Sequence, residues 1–252
     1  MENQVTENKF KFPTEIVDLP SRGLIYPKDN PLSSGKIEMK YMTAREEDIL
    51  TNQNYITKGI VLDKLIESLI VSKINYKDLI TGDKNALLIA SRVLGYGKDY
   101  DFQLKGENVS IDLSTLENKD FDEKSITRGV NEFSFTLPNS GTMLSYKLLT
   151  HKDEMSIEAE LKGLKKINKN ASHDVSTRMK HMILSVNGDD DKKIIREFVD
   201  VYFLASDARA FRKHVALVQP DVNLTAQVEL SDGVEDVEVP ITVNFFWPDA
   251  AI

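Results

Sequence analysis

Apolar and polar positions change their period several times along this chain, and each change marks an element. Ile37 to Tyr41 alternates as a short strand. Thr43 stands three residues before Glu46, the spacing of a capping box, in which a hydroxyl serves a free helix N–H and a carboxylate reaches back to the cap. Glu46, Glu47 and Asp48 add negative charge at the positive end of the helix dipole. From Thr57 to Leu94 apolar residues recur at threes and fours, first as Ile60, Leu62, Leu65, Ile66, Leu69 and Ile70, then as Ala86, Leu87, Ile89, Ala90, Val93 and Leu94. That predicts helices, with Gly82 and Gly95 as breaks. Tyr100, Phe102 and Leu104 alternate, KGEN intervenes, and Val109, Ile111 and Leu113 alternate again, which predicts a β-hairpin near 100–113.

The remainder follows a similar order. Phe133 and Phe135 carry strand character after a polar stretch over 117–128. Helices are expected around Ile157 to Leu164, His173 to Leu184, Lys192 to Leu204 and Asp207 to Val218. In the last, Asp207, Arg209, Arg212 and Lys213 read as the solvated side. A second hairpin runs from Val222 to Leu230, turns at SDG, and continues from Val237 to Phe246, where Phe245, Phe246 and Trp247 form the strongest aromatic cluster.

A weak internal echo links the two stretches. Ser34-Gly35-KIEMKYM-Thr43-AREED can be set against Ser140-Gly141-TMLSYKLL-Thr150-HKDEM, the second copy one residue longer, and Leu19-Pro20-Ser21-Arg22-Gly23 against Leu137-Pro138-Asn139-Ser140-Gly141. Duplication is one explanation; the other is that turn, strand, cap and helix often succeed one another. The expected fold class is α+β: helical layers with short antiparallel strands and two β-hairpins. The expected divisions are an extended N-terminal arm over 1–36, a mixed first half over 37–136, and a mixed second half over 137–252.

Composition narrows the chemistry. Of 252 residues, 41% are apolar, enough for a substantial core, and the formal charge of -8 does not favour a phosphate backbone as partner. There is no cysteine, so no disulfide, thiolate metal site or cysteine nucleophile exists. The N-terminus lacks the apolar run of a signal peptide and no segment is long enough for a membrane span, so a chain made and kept in cytoplasm is expected, without stable membrane insertion.

His151, His173, His181 and His214 fit no metal-ligand spacing. The acidic runs at 46–48, 189–191 and 235–236 sit at a helix start, a turn and a hairpin loop, where adjacent carboxylates share solvent; a glycosidase holds its pair apart across the substrate. Gly95-Tyr96-Gly97-Lys98 follows a helix instead of leading from a strand into one, so it is not a phosphate loop. Lys162, Lys165, Lys166 and Lys169 make the best basic patch, diluted by Glu158 and Glu160. No catalytic residue, cofactor or metal ligand is assigned, and no nucleic-acid partner is expected.

Surfaces are then the expected means of action. Prolines lower the cost of holding 1–36 open against a neighbour, and the candidate contacts are Phe12, Leu19, Arg22, Leu24 and Tyr26, with Arg209 and Arg212 in the second half; Thr43 and Glu46 are structural. LPSRGLIYP (19–27), GKIEMKYMTAREEDIL (35–50), FVDVYFLASDARAFRKHV (198–215) and VPITVNFFWP (239–248) resemble the T4-like bacteriophage baseplate hub and hub-assembly protein family. The resemblance implies assembly of a contractile-tail baseplate in an infected bacterium through contacts with other hub or wedge proteins. It leaves open a retained subunit or a transient assembly factor. Relatives with a paired-cysteine segment near 100–113 differ from this chain, which has none. Outside the resemblance, a hydrolase with a site formed by distant residues is the alternative.

Overall fold

The computed structural model describes residues 12–167, 173–231 and 233–246. The chain opens with β1 (Thr14–Asp18), which pairs antiparallel with β2 (Lys36–Lys40), Val17 opposite Ile37. Thr43 then caps α1 (Ala44–Leu50) through the expected capping box. Asn52 caps α2 (Gln53–Lys58), accepting from the N–H groups of Asn54 and Tyr55, and Gly59 ends it in the left-handed region at φ 71°. α3 (Val61–Leu69) buries Val61, Leu65, Ile66 and Leu69 on one stripe. Directly after it Ile70 bridges Met39 of β2. A 3-10 turn at Tyr76–Asp78 leads to α4 (Thr81–Tyr96), and then β3 (Asp99–Leu104) and β4 (Glu107–Asp112) form an antiparallel ribbon. Lys105 and Gly106, which join these strands, both have positive φ (52° and 86°), the two-residue connection whose twist matches its strands.

The second half, counted from Phe133 and so taking in the last residues of the stretch expected over 37–136, also opens with a strand pair and ends in a ribbon, but has a strand where the first half has its third helix. β5 (Phe133–Thr136) pairs with β6 (Met143–Tyr146); α5 (His151–Ile167) and α6 (Asp174–Met182) follow; β7 (Ile183–Val186) returns to β6. Next come α7 (Lys192–Glu197), a π-helical turn at Phe198–Tyr202, and α8 (Ala205–Val218). The ribbon of β8 (Thr225–Leu230) and β9 (Gly233–Glu238) and a 3-10 turn at Val243–Phe246 complete the described chain. The architecture is a mixed α+β fold of several helices and small antiparallel sheets. Both halves contribute to one contiguous apolar core, where Tyr146 meets the fully buried Phe211 edge-on at 5.0 Å.

Several expectations need correction. The described part of the arm expected over 1–36 is built into the first half: β1 is paired, and Leu19, Ile25, Tyr26 and Leu32 are buried. Gly82 and Gly95 lie inside α4, and the break comes at Gly97. The helix expected to reach Leu184 yields to β7 at Ile183, and the strand expected to reach Phe246 stops at Glu238. Lys169 of the basic patch, Trp247 and Pro248 lie outside the described residues.

Candidate functional site

Four buried or nearly buried acids organise the two halves, in two pairs. After β2, the Glu46 carboxylate accepts from the Thr43 N–H (3.0 Å), the Thr43 hydroxyl (2.6 Å) and Lys40 Nζ (2.9 Å). After β6, the Asp153 carboxylate accepts from the Thr150 N–H (3.0 Å), the Thr150 hydroxyl (2.8 Å) and Lys147 Nζ (2.6 Å). Lysine, threonine and acid stand at identical spacing in both. Burial works to raise the carboxyls of Glu46 and Asp153, and these three donors outweigh it, so both lie below the ordinary value.

The second pair joins the start of a long helix to a turn between strands. Asp83, third residue of α4, accepts from the Ser21 N–H (2.9 Å) and hydroxyl (2.7 Å) and from the Tyr26 hydroxyl (2.6 Å). Asp207, third residue of α8, accepts from the N–H groups of Asn139 (2.9 Å) and Ser140 (3.0 Å) and from the Asn139 amide (2.8 Å). Ser21 and Asn139 follow Leu19-Pro20 and Leu137-Pro138, and the Leu19 and Leu137 N–H groups bond to Gly35 and Thr142, each one residue before the next strand. The register from Gly35 and Thr142 through Glu46 and Asp153 therefore has no gap. The extra residue expected in the second stretch lies before it, in the turn. Asp207 was read from sequence as solvated, yet it is fully buried. Burial pushes the Asp83 carboxyl up to about 6 against the pull of its three donors. At Asp207, burial works the same way and the Asn139 and Ser140 donors prevail, holding it low.

Among the described residues the halves meet at several places, one of them a bridge between Asn118 and Val222, and two others involve the start of α4 and the two ribbons. Ile80 bridges Thr150, with the His151 N–H donating to the Leu79 carbonyl (2.7 Å) and the Thr81 N–H to the Leu149 carbonyl (3.3 Å). Gly82 sits so close that a Cβ there would fall 1.9 Å from the Pro220 carbonyl oxygen. At the other contact β4 lies against β8, Lys105 pairs with Glu235, and the buried Arg92 donates to the carbonyls of Phe245, Gly97 and Asp99.

A groove of about 990 Å³ runs along the first contact, lined among others by Asp63, Lys84, His151, Glu154 and Arg178. Asp63 is held by Lys84 (2.5 Å) and the Tyr76 hydroxyl (2.9 Å). His151 stacks obliquely on Tyr76 at 4.6 Å, and its Nδ1, 3.8 Å from Asp63, has no hydrogen-bond partner among the described residues. Burial lowers its pKa despite Asp63, so the imidazole is neutral near pH 7. The other histidines are apart: His181 meets Glu160, His214 stacks on Phe135, and His173 precedes α6. Among the described residues no group of three or more His, Asp or Glu could hold a metal ion, and no helix is long and apolar enough to cross a membrane.

The candidate contact residues divide by burial. Phe12 is 57% exposed, and Arg22, Arg209 and Arg212 are exposed, Arg22 pairing with Glu123. Leu24 is half-buried. Leu19 and Tyr26 are core residues, Tyr26 because its hydroxyl serves Asp83, so neither offers a surface to a partner. Sequence reasoning missed the most apolar exposed run, Val201 (67%), Tyr202 (60%) and Leu204 (50%), crediting it to a helix. The chain matches no family model, no curated protein and no solved structure.

Proposed function

We propose that this chain is a non-enzymatic structural or assembly component of a contractile-tail phage baseplate hub, built from a duplicated unit and acting through protein–protein contacts. The exposed Val201, Tyr202 and Leu204 carry the reading: three large apolar side chains within four residues left in water favour a surface that another protein covers. Duplication is supported by the recurring acid frames, and by the hairpins that follow α4 and α8. The hairpins close alike: the Leu113 N–H donates to Lys98, and the Val239 N–H donates to Leu224. The proposed partners are other hub or wedge proteins, with no nucleic acid and no stable membrane insertion. The proposed location is the bacterial host cytoplasm during assembly, and the virion tail baseplate for a retained subunit. A transient assembly factor is the variant of this reading that leaves before the particle is complete.

Affinity capture of the tagged full chain from infected cells at successive stages tests it. The expected result is co-purification of identified hub or wedge proteins, lost on Val201→Asp with Tyr202→Asp. Presence or absence in finished particles separates subunit from factor. Capture of no baseplate protein at any stage overturns the reading. One observation favours a hydrolase instead, the neutral His151 with its unpartnered Nδ1 in a groove beside Asp63. Turnover of an ester or phosphoester by the purified chain, abolished in a folded His151→Gln variant, would establish that second reading.

A further inference from the structure

The contact between the halves is not reciprocal. A two-fold relation would join Ile80 to Thr150 and, equally, their counterparts to each other. By position at the start of the long helix, the counterparts of Leu79, Ile80 and Thr81 are Phe203, Leu204 and Ala205. By position around the capping threonine, those of Leu149, Thr150 and His151 are Met42, Thr43 and Ala44. Only the first set is joined. Among the described residues, no hydrogen bond is made by the Phe203 carbonyl, the Ala205 N–H, the Met42 carbonyl or the Ala44 N–H. The second contact has the same sense: β4, the later strand of its hairpin, lies against β8, the earlier strand of the other. Neither contact is matched by a contact between the counterparts of its two sides.

Burial follows this asymmetry. Ile80 is 1% exposed where it meets the second half, whereas its counterpart Leu204 is 50% exposed beside Tyr202. Leu148, next to the bridge on the receiving side, is 1% exposed, whereas its counterpart Tyr41 is 37% exposed, near the exposed Phe12 that lies over Lys40. On β9, the counterpart of β4, Val234 is 62% exposed. The Val201–Ala205 edge and the Tyr41–Ala44 edge thus each present one side of a contact already made once inside the molecule.

We infer that a second copy of this chain docks head to tail, with the Val201–Ala205 edge of one copy against the Tyr41–Ala44 edge of the next, repeating the Ile80–Thr150 junction between molecules. This rests on the duplicated, surface-acting chain proposed above. Backbone bonds from Phe203 and Ala205 to Ala44 and Met42 set the register, and Leu204 is covered as Ile80 is. Such a contact is heterologous, so copies close into a ring when the rotation allows and otherwise extend as a filament.

Mass measurement of the purified full chain, from micromolar to near-millimolar concentration, tests this with two variants: Tyr202→Glu with Leu204→Glu at one edge, and Tyr41→Glu at the other. The wild type is expected to form species of three or more chains. Each variant alone should self-associate more than about tenfold more weakly and run as a monomer with an unchanged circular dichroism spectrum. An equimolar mixture of the two should give a one-to-one dimer, because it holds one intact edge of each kind. A wild type that stays monomeric, a closed two-fold dimer, or variants that fail to dimerise on mixing overturns the inference. If the monomer still captures baseplate proteins from infected cells, self-assembly fails while the proposed function stands.

Discussion

Ile80 and Leu204 hold the same place before a long helix, and Asp83 and Asp207 the same place inside it, yet the first position differs fiftyfold in exposure (1% against 50%) and the second not at all, both acids being at 0%. The acids fix each half internally: without Asp83 or Asp207, the turn after Leu19-Pro20 or Leu137-Pro138 loses its tie to the helix. The residues just before the helix meet whatever lies outside that half. In one half this is the other half; in the other it is solvent. The inner polar bonds of the two halves are alike while their outer side chains differ, and a misplaced buried acid costs more than a changed surface residue.

The contrast breaks most sharply at Gly82. Its counterpart, Ser206, stands at an exposed helix start, but Gly82 faces the Pro220 carbonyl at a distance no Cβ can occupy. Because the obstacle is backbone, it cannot rotate away. Gly82→Ala should cost more than about 3 kcal/mol and loosen the halves, whereas Ser206→Ala should change stability by less than about 0.5 kcal/mol. Urea unfolding of both variants measures this. A Gly82→Ala protein as stable as wild type would mean that the halves are not held together there.

The acids themselves sharpen the comparison through pH. The folded-state pKa of Asp83, about 6, is above its ordinary 3.8, so its contribution to stability is present at low pH and is lost as pH rises from about 4 to about 6. The swing is on the order of 2–3 kcal/mol. Asp207 is depressed, so its contribution is present above the ordinary carboxylate value and is lost as pH falls below it. Asp83→Asn and Asp207→Asn should therefore alter the pH dependence of unfolding in opposite directions. Carboxyl carbon titration by NMR gives a second measure, with a midpoint near 6 for Asp83 and below 3.8 for Asp207. Matching midpoints would remove the distinction.

Part of this was legible in the sequence. Threonine three residues before an acid signals a cap, and the recurrence at Thr150 and Asp153 was visible beside Thr43 and Glu46. Lysine three residues before each threonine completes the frame, and that spacing alone could have exposed the ungapped register. Asp83 and Asp207 could not be recognised this way, because an acid in a first helical turn looks like a surface charge answering the dipole. Only the spatial approach of Ser21 and Asn139, many residues distant, turns each into a buried tie. The prolines of the first thirty-six residues suggested an open arm because they exclude helix; they do not exclude a paired strand that ends at Asp18, before Pro20. Val201 and Tyr202 fall in the helix expected over Lys192 to Leu204, but the chain there forms a π-helical turn in which Phe198 is buried and both of them are exposed.

The smallest difference lies between the two threonine frames. Glu46 and Asp153 accept the same three kinds of donor, but the Glu46 side chain is 0% exposed and that of Asp153 is 13% exposed. Glu46 also receives the Ser68 hydroxyl of α3 at 3.3 Å, which ties a second helix to the cap. Removing either acid strands a threonine N–H and a lysine, and water reaches the gap more easily at Asp153. Glu46→Ala should therefore cost about 2 kcal/mol and Asp153→Ala about 1 kcal/mol. Both wild-type contributions should fade as pH drops below the ordinary carboxylate range, because both groups are depressed in the fold. Thermal unfolding of the two alanine variants at neutral pH decides the order. Equal losses would mean that the Ser68 contact and the deeper burial add nothing to the cap at Glu46.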